Sequence, residues 1–163
     1  YLPTSGWAFR LNWFESARDD YNQVALQSNT ANSIGDWVVA TRLKYNGSTH
    51  GQLPLQALSA LGGFLNLSGY ADGQVLGDKV FYGHVRFERI IGRMPLGLTG
   101  DMRLGLALEG GKIGRPLNVQ GPSQWLDSTA LYLGGETPFG PVYVGAGYST
   151  QGKSNVYLSV GSP

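Results

Sequence analysis

The sequence predicts an all-β fold, an antiparallel transmembrane β-barrel of about eight strands. Three observations carry that expectation. Apolar residues recur with a period of two almost throughout and scarcely ever at 3.6, as strands require. Charged residues are 14% of the chain, well below the roughly 25% of a soluble domain. The faces opposite the apolar ones are built of Gly, Ala, Ser and Tyr with an occasional Arg or Glu. A sheet facing water usually carries Lys, Glu and Thr instead.

Taken in order, Trp7–Trp13 sets Trp7, Phe9, Leu11 and Trp13 against Ala8, Arg10 and Asn12. Tyr21–Thr30 has only Val24 and Leu26 as firm apolar points. Trp37–Tyr45 sets Val39, Leu43 and Tyr45 against Ala40, Arg42 and Lys44. After a glycine-rich stretch, Phe81–Glu88 alternates Val85 and Phe87 with His84, Arg86 and Glu88. Met102–Glu109, "MRLGLALE", carries Met102, Leu104, Leu106 and Leu108 on one face and Arg103, Gly105, Ala107 and Glu109 on the other. Thr129–Gly134, Val142–Tyr148 and Asn155–Gly161 continue the pattern. Each run is near the ~9–11 residues a tilted membrane-crossing strand needs. Turn signals separate them at Met94–Gly100, Thr137–Pro141 and Thr150–Asn155. No linker divides residues 1–163, which read as one domain.

Period alone does not say which face meets which solvent. A soluble barrel that binds a small apolar ligand turns its apolar face inward, and a membrane barrel turns it to lipid. Aromatics gathered toward strand ends (Trp7, Trp13, Tyr45, Phe81, Tyr148) favour lipid, where such residues form interfacial girdles. Small inward positions such as Gly145 are then expected to accept a serine, whereas Leu104 and Val144 should not accept arginine. No apolar run is long enough for a transmembrane helix, and Tyr1 does not open a signal peptide, as a mature or excised form would not. The net charge of +1, with no basic cluster, gives no support to a nucleic-acid partner. Without cysteine there is no disulfide, thiolate metal site or cysteine nucleophile.

The stretch "LGGFLNLSGYADG", Leu61–Gly73, is a loop by position yet apolar and nearly uncharged. Surface loops are ordinarily polar. "LGGFLNLSGY" resembles the glycine-rich loop of the Omp85 superfamily of outer-membrane barrels (the bacterial surface antigen D15 type), which reads two glycines followed by Arg-Gly-Tyr or Arg-Gly-Phe. The wording looks closest to barrels found behind patatin-like phospholipase domains. "PTSGWAFRLNW", "VRFERI" and "LALEGGKI" are similar to strands of the same family, so the resemblance covers the C-terminal half of a sixteen-stranded barrel. It implies that Leu61–Asp78 folds back into the lumen, with Gly62, Gly63, Ser68, Gly69 and Tyr70 as the family motif. Two departures stand out: the loop arginine is Ser68 and the strand aspartate is Glu109, so an Arg–Asp contact cannot pin the loop. The family's terminal Phe and its periplasmic repeats are also not in this sequence, which ends at Pro163.

Catalytic signatures are weak. "GYSTQGKS", Gly147–Ser154, fits a P-loop pattern, but a strand-like segment follows where phosphate binding needs a helix, so a hairpin turn is expected. No G-x-S-x-G elbow supplies the phospholipase chemistry of the patatin-linked relatives, and the chain reads as no enzyme. His50 and His84 lack metal-ligand spacing, and no metal or cofactor is expected. Arg86, Glu88, Arg103 and Glu109 read as an inward polar network, because a narrow interior penalises unpaired charge. With the turn centred near Leu96, Glu88 falls opposite Arg103 and Glu109 opposite Tyr82.

The resemblance implies insertion or translocation of proteins at the Gram-negative outer membrane, with lipid and client membrane proteins as partners. A structural anchor or oligomerisation barrel is the alternative. Closure of the eight strands on themselves is the expected arrangement, with a sixteen-stranded homodimer as the other.

Overall fold

The computed structural model describes residues 5–16, 21–50, 58–93, 100–116 and 124–161. The strands are β1 (Gly6–Ser16), β2 (Tyr21–Ile34), β3 (Trp37–His50), β4 (Ser59–Leu61), β5 (Val75–Arg93), β6 (Asp101–Pro116), β7 (Gln124–Thr137), β8 (Gly140–Tyr148) and β9 (Ser154–Val160). All belong to one antiparallel sheet in the order β1-β2-β3-β5-β6-β7-β8-β9, with the three-residue β4 paired to β5 beside the glycine-rich loop. The protein is all-β. Among the described residues no helix is long and apolar enough to cross a membrane, a fact that leaves crossing by strands untouched.

The eight long strands coincide with the eight alternating runs, three before the loop and five after it. Even β2 forms, because cross-strand polar pairs supply what its few apolar residues do not. Thr30 Oγ1 lies 2.6 Å from Thr41 Oγ1, Gln23 Nε2 donates to Asn46 Oδ1 at 3.0 Å, and Arg42 Nε donates to Asn29 Oδ1 at 2.8 Å. Several strands outrun the expected length: β5 has 19 residues and β6 has 16. The extra length of β5 begins at Val75, so Val75–Asp78 belong to the strand and the loop proper is 62–74. Val75, Val80 and Ile113 hold this extension by packing beneath the loop.

The turns follow local chemistry. Gly35, at φ 60°, makes a two-residue turn between Ile34 and Trp37 that the alternation did not mark. Thr137 pairs with Gly140 around the expected turn, with Thr137 Oγ1 donating to the Gly140 carbonyl at 2.7 Å. The P-loop-like segment closes a hairpin: Gly152 N–H donates to the Ser149 carbonyl at 2.9 Å and β9 follows. No helix N-terminus stands there to receive phosphate. The Met94–Gly100 turn (Gly100 excepted), Pro3 and Thr4 of the opening motif, and Pro163 lie outside the described residues.

The buried face holds charged and polar side chains beside an apolar patch under the loop, while the exposed face is largely apolar. On β6, Leu104 and Leu108 expose 44% and 51% of their surface, while Arg103 and Glu109 expose 2% and 5%. Phe81, Phe87, Leu131, Leu133, Val144, Val156 and Leu158 share the exposed face with Leu104. Exposed aromatics lie toward both ends of the strands: Trp7, Trp37 and Phe139 at one, Trp13, Trp125 and Tyr148 at the other. Arg89 sits over the Trp37 ring, 5.6 Å from its centroid. Tyr45 is only half-exposed.

The expected self-closure does not occur. Among the described residues no ladder joins β1 to β9, so the sheet is open by its hydrogen bonds. The inward face of β6–β9 carries a packed loop, more bulk than the side chains that ordinarily fill an eight-stranded barrel.

Candidate functional site

Segment 62–74 lies on the inward face of the sheet, against β5–β9. Its backbone turns twice on itself: Gly62 N–H donates to the Asn66 carbonyl at 2.7 Å, and Gly63 N–H to the Tyr70 carbonyl at 2.9 Å. Gly62 and Gly63 take φ of 120° and 100°, where a side chain is strained. Leu65 and Leu67 also take positive φ, 53° and 74°, despite being leucines. Such backbones cost roughly 1–3 kcal/mol each and persist only when surroundings over-determine them. Here the surroundings do. Both side chains are fully buried, at roughly 1.5–3 kcal/mol of stabilisation each, and the Leu65 N–H donates to Ser68 Oγ at 2.9 Å.

Ser68 and Gly69 are the points of attachment. Ser68 N–H donates to Glu109 Oε2 at 2.6 Å, and Gly69 N–H to Ser128 Oγ at 2.6 Å. Asn155 Nδ2 donates to the Gly69 carbonyl at 2.9 Å, and Ser149 Oγ to the Tyr70 hydroxyl at 3.1 Å. The Tyr157 hydroxyl lies 2.7 Å from the carbonyls of both Ser68 and Tyr70. This closeness needs glycine on the wall: a Cβ at Gly147 would collide with the Ser68 carbonyl. Phe64 enters a ring of tyrosines from three strands, with centroids 5.3, 5.4 and 5.8 Å from Tyr132, Tyr143 and Tyr157. Edge and tilted contacts of this kind add stabilisation beyond area burial.

Two buried carboxylates organise the polar face. Glu109 accepts from Ser68 N–H and, at Oε1, from the Tyr82 hydroxyl at 2.8 Å; that hydroxyl is also 2.9 Å from His84 Nδ1. Glu88 accepts from Arg103 Nη1 at 3.1 Å and the Tyr132 hydroxyl at 2.6 Å, with Arg86 Nη1 at 3.4 Å. The expected partners therefore meet, but by a different register. Glu88 pairs across the ladder with Gly105, and Glu109 with His84, two residues away from the expected alignment. The ladder ends with Arg93 opposite Asp101, beyond the expected centre, and the pairs reach each other diagonally.

The four charges of the expected network thus form two clusters, Arg86–Glu88–Arg103 and Glu109 with the loop. Gly62, Gly63, Ser68, Gly69 and Tyr70 all belong to the docked segment. The loss of the arginine does not free the loop, because a backbone N–H takes its place on the carboxylate. Sequence reading missed Phe64, Ser128, Ser149 and Asn155, which touch across separations invisible to alternation. His84 is buried, as expected of a wall residue; the His50 side chain lies outside the described residues. Among the described residues no group of three His, Cys, Asp or Glu could hold a metal ion.

Glu109→Gln tests the attachment. It replaces one of two accepting oxygens with an amide, and a hydrogen bond to a charged group is worth about 1.5–3 kcal/mol. Exchange of the Ser68 amide hydrogen with solvent should speed up accordingly; unchanged protection would contradict the contact.

Comparison of the chain with family models, with characterised proteins and with solved structures finds no match. The class that fold and site define is an all-β antiparallel sheet with a loop docked on its polar face.

Proposed function

We propose that the chain is part of a transmembrane β-barrel of the bacterial outer membrane, with segment 62–74 as a plug on its inner wall. By its resemblance to the Omp85 superfamily, it acts in insertion or translocation of membrane proteins. One observation carries the membrane reading: the sheet buries arginine and glutamate on one face while leaving leucine, valine and tryptophan exposed on the other. In water that arrangement is costly over so many strands, whereas lipid reverses the sign of the apolar contribution. The two longest connections, from β3 to β4 and from β4 to β5, join strand ends at the same end of the sheet, an asymmetry typical of such barrels.

Open edges cannot persist in lipid, where each unsatisfied backbone group costs several kcal/mol. β1 and β9 must therefore meet other strands. They are the first and last of eight strands on the ladder path, so they run antiparallel and two copies can join edge to edge into sixteen strands. Cysteines at Phe9 and Leu158, on these opposite edges, test this. A crosslinked dimer is the expected product for this chain in lipid vesicles. A crosslink within one monomer would restore self-closure.

Replacing 62–74 by a short Gly-Ser linker tests the plug. Conductance in planar bilayers should rise over that of the unaltered protein, and equal conductance would place the loop outside the pore. Vesicles containing the protein should also speed assembly of an added unfolded barrel protein. The anchor reading is favoured by one feature, the bonds from Ser68, Gly69 and Tyr70 to three strands, β6, β7 and β9, and to Ser149 in the turn after β8, which hold the loop still. An unchanged client assembly rate would select it.

A further inference from the structure

The apolar, exposed face carries cations at two levels. On β5, Lys79 and Arg89 both point outward and are exposed, with Phe81, Gly83, Val85 and Phe87 between them on that face. They stand ten residues apart in one strand, about 33 Å at ~3.3 Å per residue. At the ~35–45° tilt of barrel strands this spans roughly 23–27 Å, against an apolar band about 25 Å tall. The two cations therefore mark opposite borders of the band.

Arg89 is taken up by the Trp37 ring. Lys79 has a different setting, at the end of the sheet that holds the longer connections. Across the β5–β6 ladder Lys79 pairs with Gly114 and Phe81 with Lys112, which makes the two lysines diagonal neighbours on the exposed face. Such neighbours are about 7–8 Å apart, so both ammonium groups can reach one oxyanion. Two glycines bed the Lys79 stem: a Cβ at Gly114 would stand 3.2 Å from Lys79 Cβ, and one at Gly47 would stand 3.3 Å from Lys79 Cγ. The Tyr45 hydroxyl reaches over the same Gly47, and Trp125 stands across from Lys112 on β7.

Like charges side by side repel, and the cost grows away from bulk water. Among the described residues neither lysine forms an ion pair. Asp127, on the same face of β7, accepts from Thr150 Oγ1 at 2.7 Å. The flanking connections 51–57 and 117–123 contain no Asp or Glu in their sequence. Next to the lysines, toward the middle of the band, lies an apolar groove of about 180 Å³ among Phe9, Leu26, Leu43, Tyr45 and Phe81.

We propose that this rim binds an anionic lipid, its headgroup phosphate held between Lys79 and Lys112 and an acyl chain seated in the groove. A lysine lays its stem along apolar surface and extends its head into the polar layer, where phosphate is the charge it meets. Tyr45 and Trp125 set amphipathic rings at the same level, as residues at a membrane interface do. Phe81 faces Lys112 across the ladder and lines the groove, so one molecule can occupy both parts. The inference rests on the reading of the exposed face as lipid-facing.

Flotation of the whole chain with vesicles of phosphatidylcholine, which is uncharged overall, tests that reading first. The protein, folded in a non-ionic detergent, is then titrated with phosphatidic acid, and with phosphatidylcholine as the reference. Native mass spectrometry counts the lipids each protein holds. One phosphatidic acid should bind ahead of any phosphatidylcholine. Lys79→Gln and Lys112→Gln should each weaken it about fivefold, the worth of one cation beside an anionic headgroup. Leu26→Trp should fill the groove and weaken binding without touching a charge, whereas Arg89→Gln at the other border should leave it unchanged. Should Leu26→Trp not fold, the exposed lysines decide alone. Equal affinity for the two lipids, unaltered affinity in the folded lysine or Leu26 variants, or an equal loss in Arg89→Gln would overturn this inference alone. A protein that does not float with the vesicles would overturn the membrane reading and this inference with it.

Discussion

Glu88→Ala is expected to destabilise the protein by about 3–5 kcal/mol, the range for removing one partner of a buried ion pair. Glu88 is 1% exposed and lies between Arg86 and Arg103, both themselves buried. Deleting the carboxylate leaves two guanidiniums facing each other with no charge between them, and strips the Tyr132 hydroxyl of its acceptor at 2.6 Å. Tyr132 packs edge-on against Phe64, so the damage should spread to the loop. Glu88→Gln keeps the shape and an acceptor for Tyr132 but no charge, and should fall between the two. Urea midpoints measured in vesicles or detergent give the order; a Glu88→Ala protein as stable as the parent would show that the cluster is wet and weak.

Leu104→Arg and Val144→Arg are expected to block assembly into lipid vesicles, because a cation near the bilayer midplane costs about 2–4 kcal/mol. Both residues are exposed on the apolar face. The control must be chosen with care. Gly145→Ser looks mild by alternation, since Gly145 points inward, but a Cβ there would stand 2.6 Å from Tyr132 Cβ. The space at Gly145 is already filled by a neighbour. Gln27→Glu is the better control: it lies on the inward face between Arg10 and Lys44, half-exposed and already polar, so a charge of the opposite sign is accepted there. Folding yields in vesicles should collapse for the first pair and hold for Gln27→Glu. Equal yields would mean that the apolar face does not meet lipid.

Alternation is a property of neighbouring residues along one strand, which is why eight strands and the division of their faces could be read directly. Leu104 and Arg103 must point opposite ways whatever surrounds them, because consecutive side chains in a strand do. The unusual composition of Leu61–Gly73 likewise betrayed a buried loop, since water would not tolerate it. Register was not legible. The β5–β6 ladder ends on Arg93 opposite Asp101 and sets Glu88 opposite Gly105, two residues from the expected alignment, so the expected opposite pairs became diagonal ones. The centre about which two strands pair is set by the turn and the packing together, and no alternating pattern carries it.

The contacts that hold the loop were still further from view. Ser68 for arginine suggested an untethered loop, but a backbone N–H is common to every residue except proline and leaves no mark in a sequence. Only the folded chain brings that N–H within 2.6 Å of Glu109, 41 residues away, and Phe64 among Tyr132, Tyr143 and Tyr157. The open edges have the same origin. Strand count and inward glycines were compatible with closure or with open edges, and only the folded ladder, in which no pairing joins β1 to β9 among the described residues, separates the two.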